Sequence, residues 1–347
     1  KKLQSDKKFY LDFNHAPNLH IPQSGLFGER LRSGDGYTID SLSSFDRFFA
    51  SEFGYDSASF LDFSPYSISL FLDYLIPENS KIALSSKLSY FCAEAAKLLE
   101  ARGREIVYVA ANKDGSLSVD SLSAAKKSGA EYLFCAVVDE DTFFVEDMAA
   151  AAQFFEPQKT ILDISNGVKK IDSPKVLAAI LWGYKLGGFK SSGVALCDDA
   201  TAARLDGIDL TVYAHLKSAY ESYVFDAEIS QARDVFASEL KNSLGDDIFL
   251  FVEPSKCLPN SVYVGFKGIK ARDFIRTLAL ENIFVTNGEL CSLAMSKPSR
   301  IISSLGFSED ESRNAISFSF ASLDIDEAKY LASKISFKYR QIKAIMF

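Results

Sequence analysis

A lysine set between two apolar runs and followed closely by paired glycines is the most informative feature of the chain: WGYKLGGFKSSG, Trp182 to Gly193, carries Lys185 on such a turn. Two chemistries use a lysine there. A phosphate-binding loop is the first, and Gly183 and Gly188 have the separation of the GxxxxG pattern. Phe189 intrudes before Lys190 and Ser191, however, and the lysine must follow the last glycine directly to reach nucleotide phosphates. Imine formation is the second. An amine attacks an aldehyde only when neutral, so it needs a desolvated or electropositive setting. Pyridoxal phosphate supplies such an aldehyde, and its ring nitrogen stays protonated against a buried carboxylate. Asp163, ending the apolar run in TILDISNG, offers one. A lone aspartate after a strand is more often a helix N-cap or turn residue, but an unpaired carboxylate on an apolar run is costly. The pairing with Lys185, one crossover later, favours the imine.

Composition narrows the rest. The 347 residues, 48% hydrophobic and 24% charged, suffice for two domains or one large α/β domain plus a lobe. A net charge of -8 argues against nucleic-acid binding, which needs clustered Lys and Arg. No run approaches the ~18 consecutive apolar residues of a membrane span, and KKLQSDKKFYLDF lacks a secretory apolar core, so neither a membrane location nor export is expected. Cys92, Cys135, Cys197, Cys257 and Cys291 are odd in number and show no CxxC spacing. They argue against a disulfide framework or zinc site and fit a reducing cytoplasm. His15, His20 and His215 leave little for a His-based metal centre, and no metal is expected.

The elements that must position Lys185 and Asp163 alternate along the chain. Strands are expected at 58–64, 80–86, REIVYVAA, 131–138 and 159–165. Helices are expected at SISLFLDYLI, 90–103 stopped by Gly103, VDSLSAAKKSGA capped near Gly129, and EDMAAAAQFFEP ended by Pro157. KVLAAILWGY and SSGVALCDD bracket the lysine turn. Strands separated by helices imply a mostly parallel sheet covered on both faces, with ligands beyond the carboxyl ends of its strands. From about residue 215 a long polar helix, AYESYVFDAEISQARDVFASELKNSLG, leads into a smaller α+β lobe.

Taken together, YLDFNHAP, ILDISNGVKKID, GYKLGGFKSSGVAL and VTNGELCSLAMSKPSRIISSLGFSEDESRNAISFSF resemble the cysteine desulfurases, of the class V aminotransferase group of pyridoxal-phosphate enzymes. The resemblance runs from about Tyr10 to the C-terminal helix. It implies a three-layer α/β/α fold of fold type I, with a large cofactor-binding domain over 10–235 and a smaller C-terminal α+β domain over 236–347, which the N-terminal segment 1–30 joins. It also implies roles. Lys185 matches the Schiff-base lysine and Asp163 the partner of the pyridine nitrogen. Asn166 stands where a glutamine usually bonds the ring hydroxyl, and Tyr90 where an aromatic ring stacks on the cofactor. Pro65, Tyr66 and Ser67 align with the phosphate loop, Ser67 keeping a hydroxyl at a helix N-terminus, and Tyr184 replaces a histidine beside the lysine. Cys291 matches the nucleophile that takes sulfur as a persulfide. The implied substrate is a small amino acid, the implied assembly a homodimer, with a sulfur acceptor as further partner.

Departures from the family pattern cluster around the substrate and the phosphate. The arginine that holds the substrate carboxylate aligns with Ser317, and a second with Ser322. Trp182 replaces a phosphate-contacting serine. The Arg-Ser-Gly-Thr segment of the neighbouring subunit has no counterpart between Leu205 and Gln231, and Asp139, Glu140 and Asp141 replace Asn-Asn-Glu. No serine substitutes for a bidentate arginine–carboxylate pair, and spacing favours neither Arg300 nor Arg313 for the task. Three functions stay open: a desulfurase, an aminotransferase or lyase of the same fold on another amino substrate, and a non-catalytic paralogue serving as a dimeric scaffold.

Overall fold

The structure, a computed structural model, describes residues 7–20, 47–205, 210–288 and 298–346. In chain order its strands are β1 (Phe9–Tyr10), β2 (Ser57–Phe60), β3 (Lys81–Ser85), β4 (Ile106–Val109), β5 (Ala130–Ala136), β6 (Thr160–Asp163), β7 (Ala178–Trp182), β8 (Gly193–Cys197), β9 (Ile248–Leu250), β10 (Ser261–Phe266), β11 (Ile283–Phe284) and β12 (Ala315–Ser319). Seven form one sheet in the order β2-β8-β7-β6-β5-β3-β4. β7, β6, β5, β3 and β4 run parallel, as the alternating pattern requires. β8 runs antiparallel to both neighbours. The reason lies in the connection: the turn 183–192 is shorter than the crossover of a dozen or more residues that parallel strands need.

Alternate residues of these strands enter different cores. Ile82, Leu84, Phe134, Ile161, Ile180 and Trp182 pack on one face with helices Pro65–Leu75 and Tyr90–Ala101. Ala83, Leu133, Cys135, Leu162 and Leu181 pack on the other, with Leu122 and Ala125 of helix Val119–Lys127. The result is three layers, helix on sheet on helix. Local signals start and stop the helices over the first face. Ser64 caps helix Pro65–Leu75, with Pro65 in its first turn, and helix Tyr90–Ala101 ends before Gly103 at φ 89°.

Two helices differ from the expectation. Helix Met148–Ala152 is far shorter than EDMAAAAQFFEP, because Asp147 caps its start and the chain turns so that Phe155 can enter the core. The long polar helix is two, Leu210–Ser222 and Ser230–Leu244. Val224 between them is 84% exposed, and the Asp226 side chain accepts from the Glu228 amide in a turn that competes with helix.

A second core gathers the later residues. β12, β10 and β9 form an antiparallel sheet against helices Ser230–Leu244, Ala271–Ala279 and Ile325–Met346. The N-terminal strand belongs here: β1 pairs parallel with β11, and Phe9 and Leu11 enter this core. Among the described residues no helix is long and apolar enough to cross a membrane.

Candidate active site

Two adjacent parallel strands deliver the two residues singled out first. β6 ends at Asp163 and β7 at Trp182, one turn before Lys185. Asp163 is buried, at 3% exposure. Its Oδ1 accepts from the Ser165 amide at 3.0 Å and from the Ser165 hydroxyl, and its Oδ2 lies 3.5 Å from the Cys92 thiol in the first turn of helix Tyr90–Ala101. The same Ser165 hydroxyl accepts from the Trp182 amide at 2.8 Å, tying the ends of β6 and β7 together. Burial first, and then the Asp163 charge, push the Cys92 thiol well above its ordinary range.

Lys185 lies on a tight 3-10 turn, Gly183–Leu186, and is also 3% exposed. Its Nζ donates to the Asn14 carbonyl oxygen at 3.2 Å and sits 5.0 Å from the centre of the Trp182 ring. The glycines explain themselves here. Gly187 closes the turn at φ 85°, and a Cβ on it would fall 2.5 Å from the Asn18 carbonyl. The chain uses glycine so that the segment 14–20 can lie directly on the lysine turn, with the His20 amide bonded to the Gly187 carbonyl at 2.8 Å.

The other expected residues fall into three groups. Asn166 is buried beside Asp163. Its amide nitrogen reaches the Val138 carbonyl at 3.5 Å, and its Oδ1 is buried with no hydrogen-bond partner. Tyr90 opens the helix whose first turn lies over Asp163, half-buried and edge-on to Phe91. Ser67 is half-buried in the first turn of helix Pro65–Leu75, its amide 3.4 Å from the Ser64 hydroxyl, whereas Tyr66 is 69% exposed. Tyr184 packs at 5.2 Å on Trp182. Cys291 lies outside the described residues, as does part of the stretch between Leu205 and Gln231.

The departures have structural counterparts. The Trp182 indole stacks on Phe63 at 5.2 Å and meets Phe91 edge-on, and its N–H is engaged by the Lys190 carbonyl at 2.6 Å. Asp139 turns inward and accepts from the amides of Asp141 and Thr142. Asp141 accepts from the Ser299 hydroxyl, and Glu140 lies 4.0 Å from Arg300. Arg300 donates to the carbonyls of Ser86, at 2.6 Å, and Leu88. Arg313 pairs with Glu309 on the surface, and the Ser317 hydroxyl is 3.0 Å from the His15 ring.

Two residues with no role assigned from the sequence join this site. Asn14 receives Lys185 on its main-chain oxygen and Lys170 on its side-chain oxygen, at 3.3 Å. Lys170 lies in the loop after β6, and burial together with the Lys185 charge pulls its ammonium down to about 7. It lies beyond Asp163–Asn166, the residues that directly follow the strand, so the rule that ligands gather at the carboxyl ends of parallel strands finds it only if extended along the loop.

Comparison with known proteins bears on the fold and the sequence resemblance. No protein-family model matches the chain. It is 20% identical over 258 residues to the cysteine desulfurase IscS of Escherichia coli O139:H28, covering 67% of this chain and 63% of the relative, and equally similar to that of Shigella boydii. The chain thus spans less than two thirds of the curated relatives it matches. Among solved structures, a NifS-like protein superposes with a TM-score of 0.77 at 16% identity, over 95% of this chain and 99% of that one. The NifS-like protein of Rickettsia africae gives 0.78 at 13%, over 96% and 100%. The apo cysteine desulfurase of Thermococcus onnurineus gives 0.75 at 11%, over 96% and 95%. The chain resembles cysteine desulfurases in sequence and has the three-layer fold of NifS-like proteins, as the sequence motifs implied.

Proposed function

We propose that the chain is a pyridoxal-phosphate enzyme of the cysteine desulfurase kind, with Lys185 as the imine-forming amine and Cys291 as the sulfur-accepting thiol. One observation carries the reading: a buried lysine and a buried carboxylate follow adjacent parallel strands whose ends Ser165 ties together, beside an amide oxygen left without a partner. Those groups suit a pyridine ring. Asp163 would hold a proton on the ring nitrogen, Asn166 Oδ1 would accept from the ring hydroxyl, and Tyr90 would cover one ring face. Ser67 and the helix N-terminus would take the phosphate; Trp182, whose N–H is already engaged, would give it only an apolar wall.

Pyridoxal phosphate, when bound, supplies the aldehyde for imine exchange and an electron sink for the carbanion at the substrate's α-carbon. The chain's own residues do the rest. Lys185, held out of water by segment 14–20, would take and return a proton at that carbon once its amine is displaced. Cys291 would attack the substrate sulfur as a thiolate. A homodimer, a cytoplasmic location and a separate sulfur acceptor are proposed on the resemblance alone, as is a division of the chain into 10–235 and 236–347.

Ser317, in place of the carboxylate-binding arginine, favours a second reading, the same cofactor with another amino substrate. A visible absorption spectrum separates the cases. With added cofactor the protein is expected to be yellow, to fix the cofactor on Lys185 after borohydride reduction, and to lose both properties in Lys185→Ala. With cysteine and reductant it is expected to release sulfide and alanine, and Cys291→Ala is expected to release no sulfide. A yellow protein without sulfide selects the second reading. A colourless one leaves the scaffold.

A further inference from the structure

We propose that Lys170 is the cation that takes the substrate's carboxylate, a role for which the aligned position on β12 carries only Ser317. The inference rests on the reading above and defines the substrate as an amine with a carboxylate on the adjacent carbon.

Geometry is the first support. Lys185 and Lys170 donate to the two oxygens of one residue, Asn14, at 3.2 and 3.3 Å. Asn14 is held in place. Its amide donates to the Ser319 hydroxyl at 2.8 Å, and its side chain forms a reciprocal pair with Asn260 at 3.1 Å in each direction. That pair orients Oδ1 toward Lys170. Both amines therefore gather around one residue, and a carboxylate held by Lys170 would lie on the same side of the site as the Lys185 amine that a substrate nitrogen replaces.

Charge is the second. Lys170 Nζ faces the neutral Asn14 oxygen and the Tyr223 ring, 5.9 Å away, and feels the charge of Lys185. No carboxylate pairs with it among the described residues. A half-buried ammonium beside a second lysine is costly without an anion, and a carboxylate ligand supplies the missing charge. The other candidate cations are engaged elsewhere: Arg300 with two carbonyls and Glu140, Arg313 with Glu309. Ser317 bonds His15. Lysine offers a point charge rather than a planar fork, so it accepts a carboxylate with less directional demand than arginine.

The test compares L-alanine with ethylamine, its analogue lacking the carboxylate, on the cofactor-loaded protein, reading dissociation constants from the visible band. Lys170→Met is expected to weaken L-alanine about 10- to 100-fold, the size of a lost charge-assisted contact, with ethylamine changed less than about 3-fold on the same scale. Lys170→Arg is expected to restore most of the loss. Equal weakening of both ligands, or L-alanine bound as in wild type, overturns the proposal. A second readout does not need the colour: in protein carrying 13C-labelled lysine, the Lys170 signal, assigned by its loss in Lys170→Met, is titrated with and without saturating L-alanine. Its midpoint is expected to rise, because the carboxylate favours the charged form; an unchanged midpoint rejects the role. A colourless wild type whose Lys170 midpoint still rises would sink the cofactor reading and keep this one.

Discussion

Asp163 and Trp182 are joined through a single hydroxyl: Ser165 donates to the carboxylate at the end of β6 and accepts, at 2.8 Å, from the amide at the end of β7. Ser165→Ala leaves a buried amide without an acceptor, at a cost of ~1–3 kcal/mol. Urea unfolding is expected to show a lower midpoint at unchanged slope, and Ser165→Thr should keep most of the stability. An alanine variant that unfolds at the wild-type midpoint would show that the bridge carries no load.

Gly187 and Gly103 form a natural control. Both have positive φ, 85° and 89°, but a Cβ on Gly187 meets the Asn18 carbonyl at 2.5 Å and one on Gly103 meets nothing within 4 Å. Gly103→Ala is expected to cost only the left-handed backbone penalty, about 1–2 kcal/mol. Gly187→Ala adds the clash and should melt at a distinctly lower temperature. Equal melting points for the two variants would mean that segment 14–20 does not press on the lysine turn.

The proposed role of Cys291 predicts a difference in thiol reactivity. Cys92, Cys135, Cys197 and Cys257 are buried and free. Burial is the main cause raising each of them, Cys197 to about 12 with help from Asp198. At pH 8 these four should resist a disulfide reagent until the protein unfolds. Any thiol that reacts quickly in the native protein is expected to vanish in Cys291→Ala; if it persists there, the nucleophile has been misassigned.

Lys170 gives a signed pH dependence in the absence of ligand. Its folded value, about 7, lies below the ordinary 10.5. Below pH 7 both states hold the proton, and the native state bears the full cost of the confined ammonium. Between about 7 and 10.5 only the unfolded chain holds it, so this group's contribution to stability improves as pH rises. The advantage of Lys170→Met over wild type in urea midpoint should therefore shrink from pH 7 to pH 10. An advantage that is constant across that range would contradict the shift.

Much of the sheet was legible because apolar runs alternate with capped helices: the runs around 131–138 and 159–165 became β5 and β6, and Gly103 and Gly129 marked helix ends. The reversal of β8 is written in the length of the turn 183–192, which is too short for a parallel crossover, and not in the alternation of apolar runs and helices. The break at 223–229 was hidden, because a helix-like period continues through Val224 and does not register that this side chain faces solvent. The link between Asn14 and Lys170 spans 156 positions and exists only after the segment 14–20 docks, so no local pattern carries it.

The place of β2 in the sheet has a kinetic consequence. Its one neighbour among the described residues is β8, so that pairing waits while the ribosome issues everything between residues 61 and 192. An early strand that waits for the last one delays closure of the sheet, and the nascent chain carries an open edge while that whole interval is made.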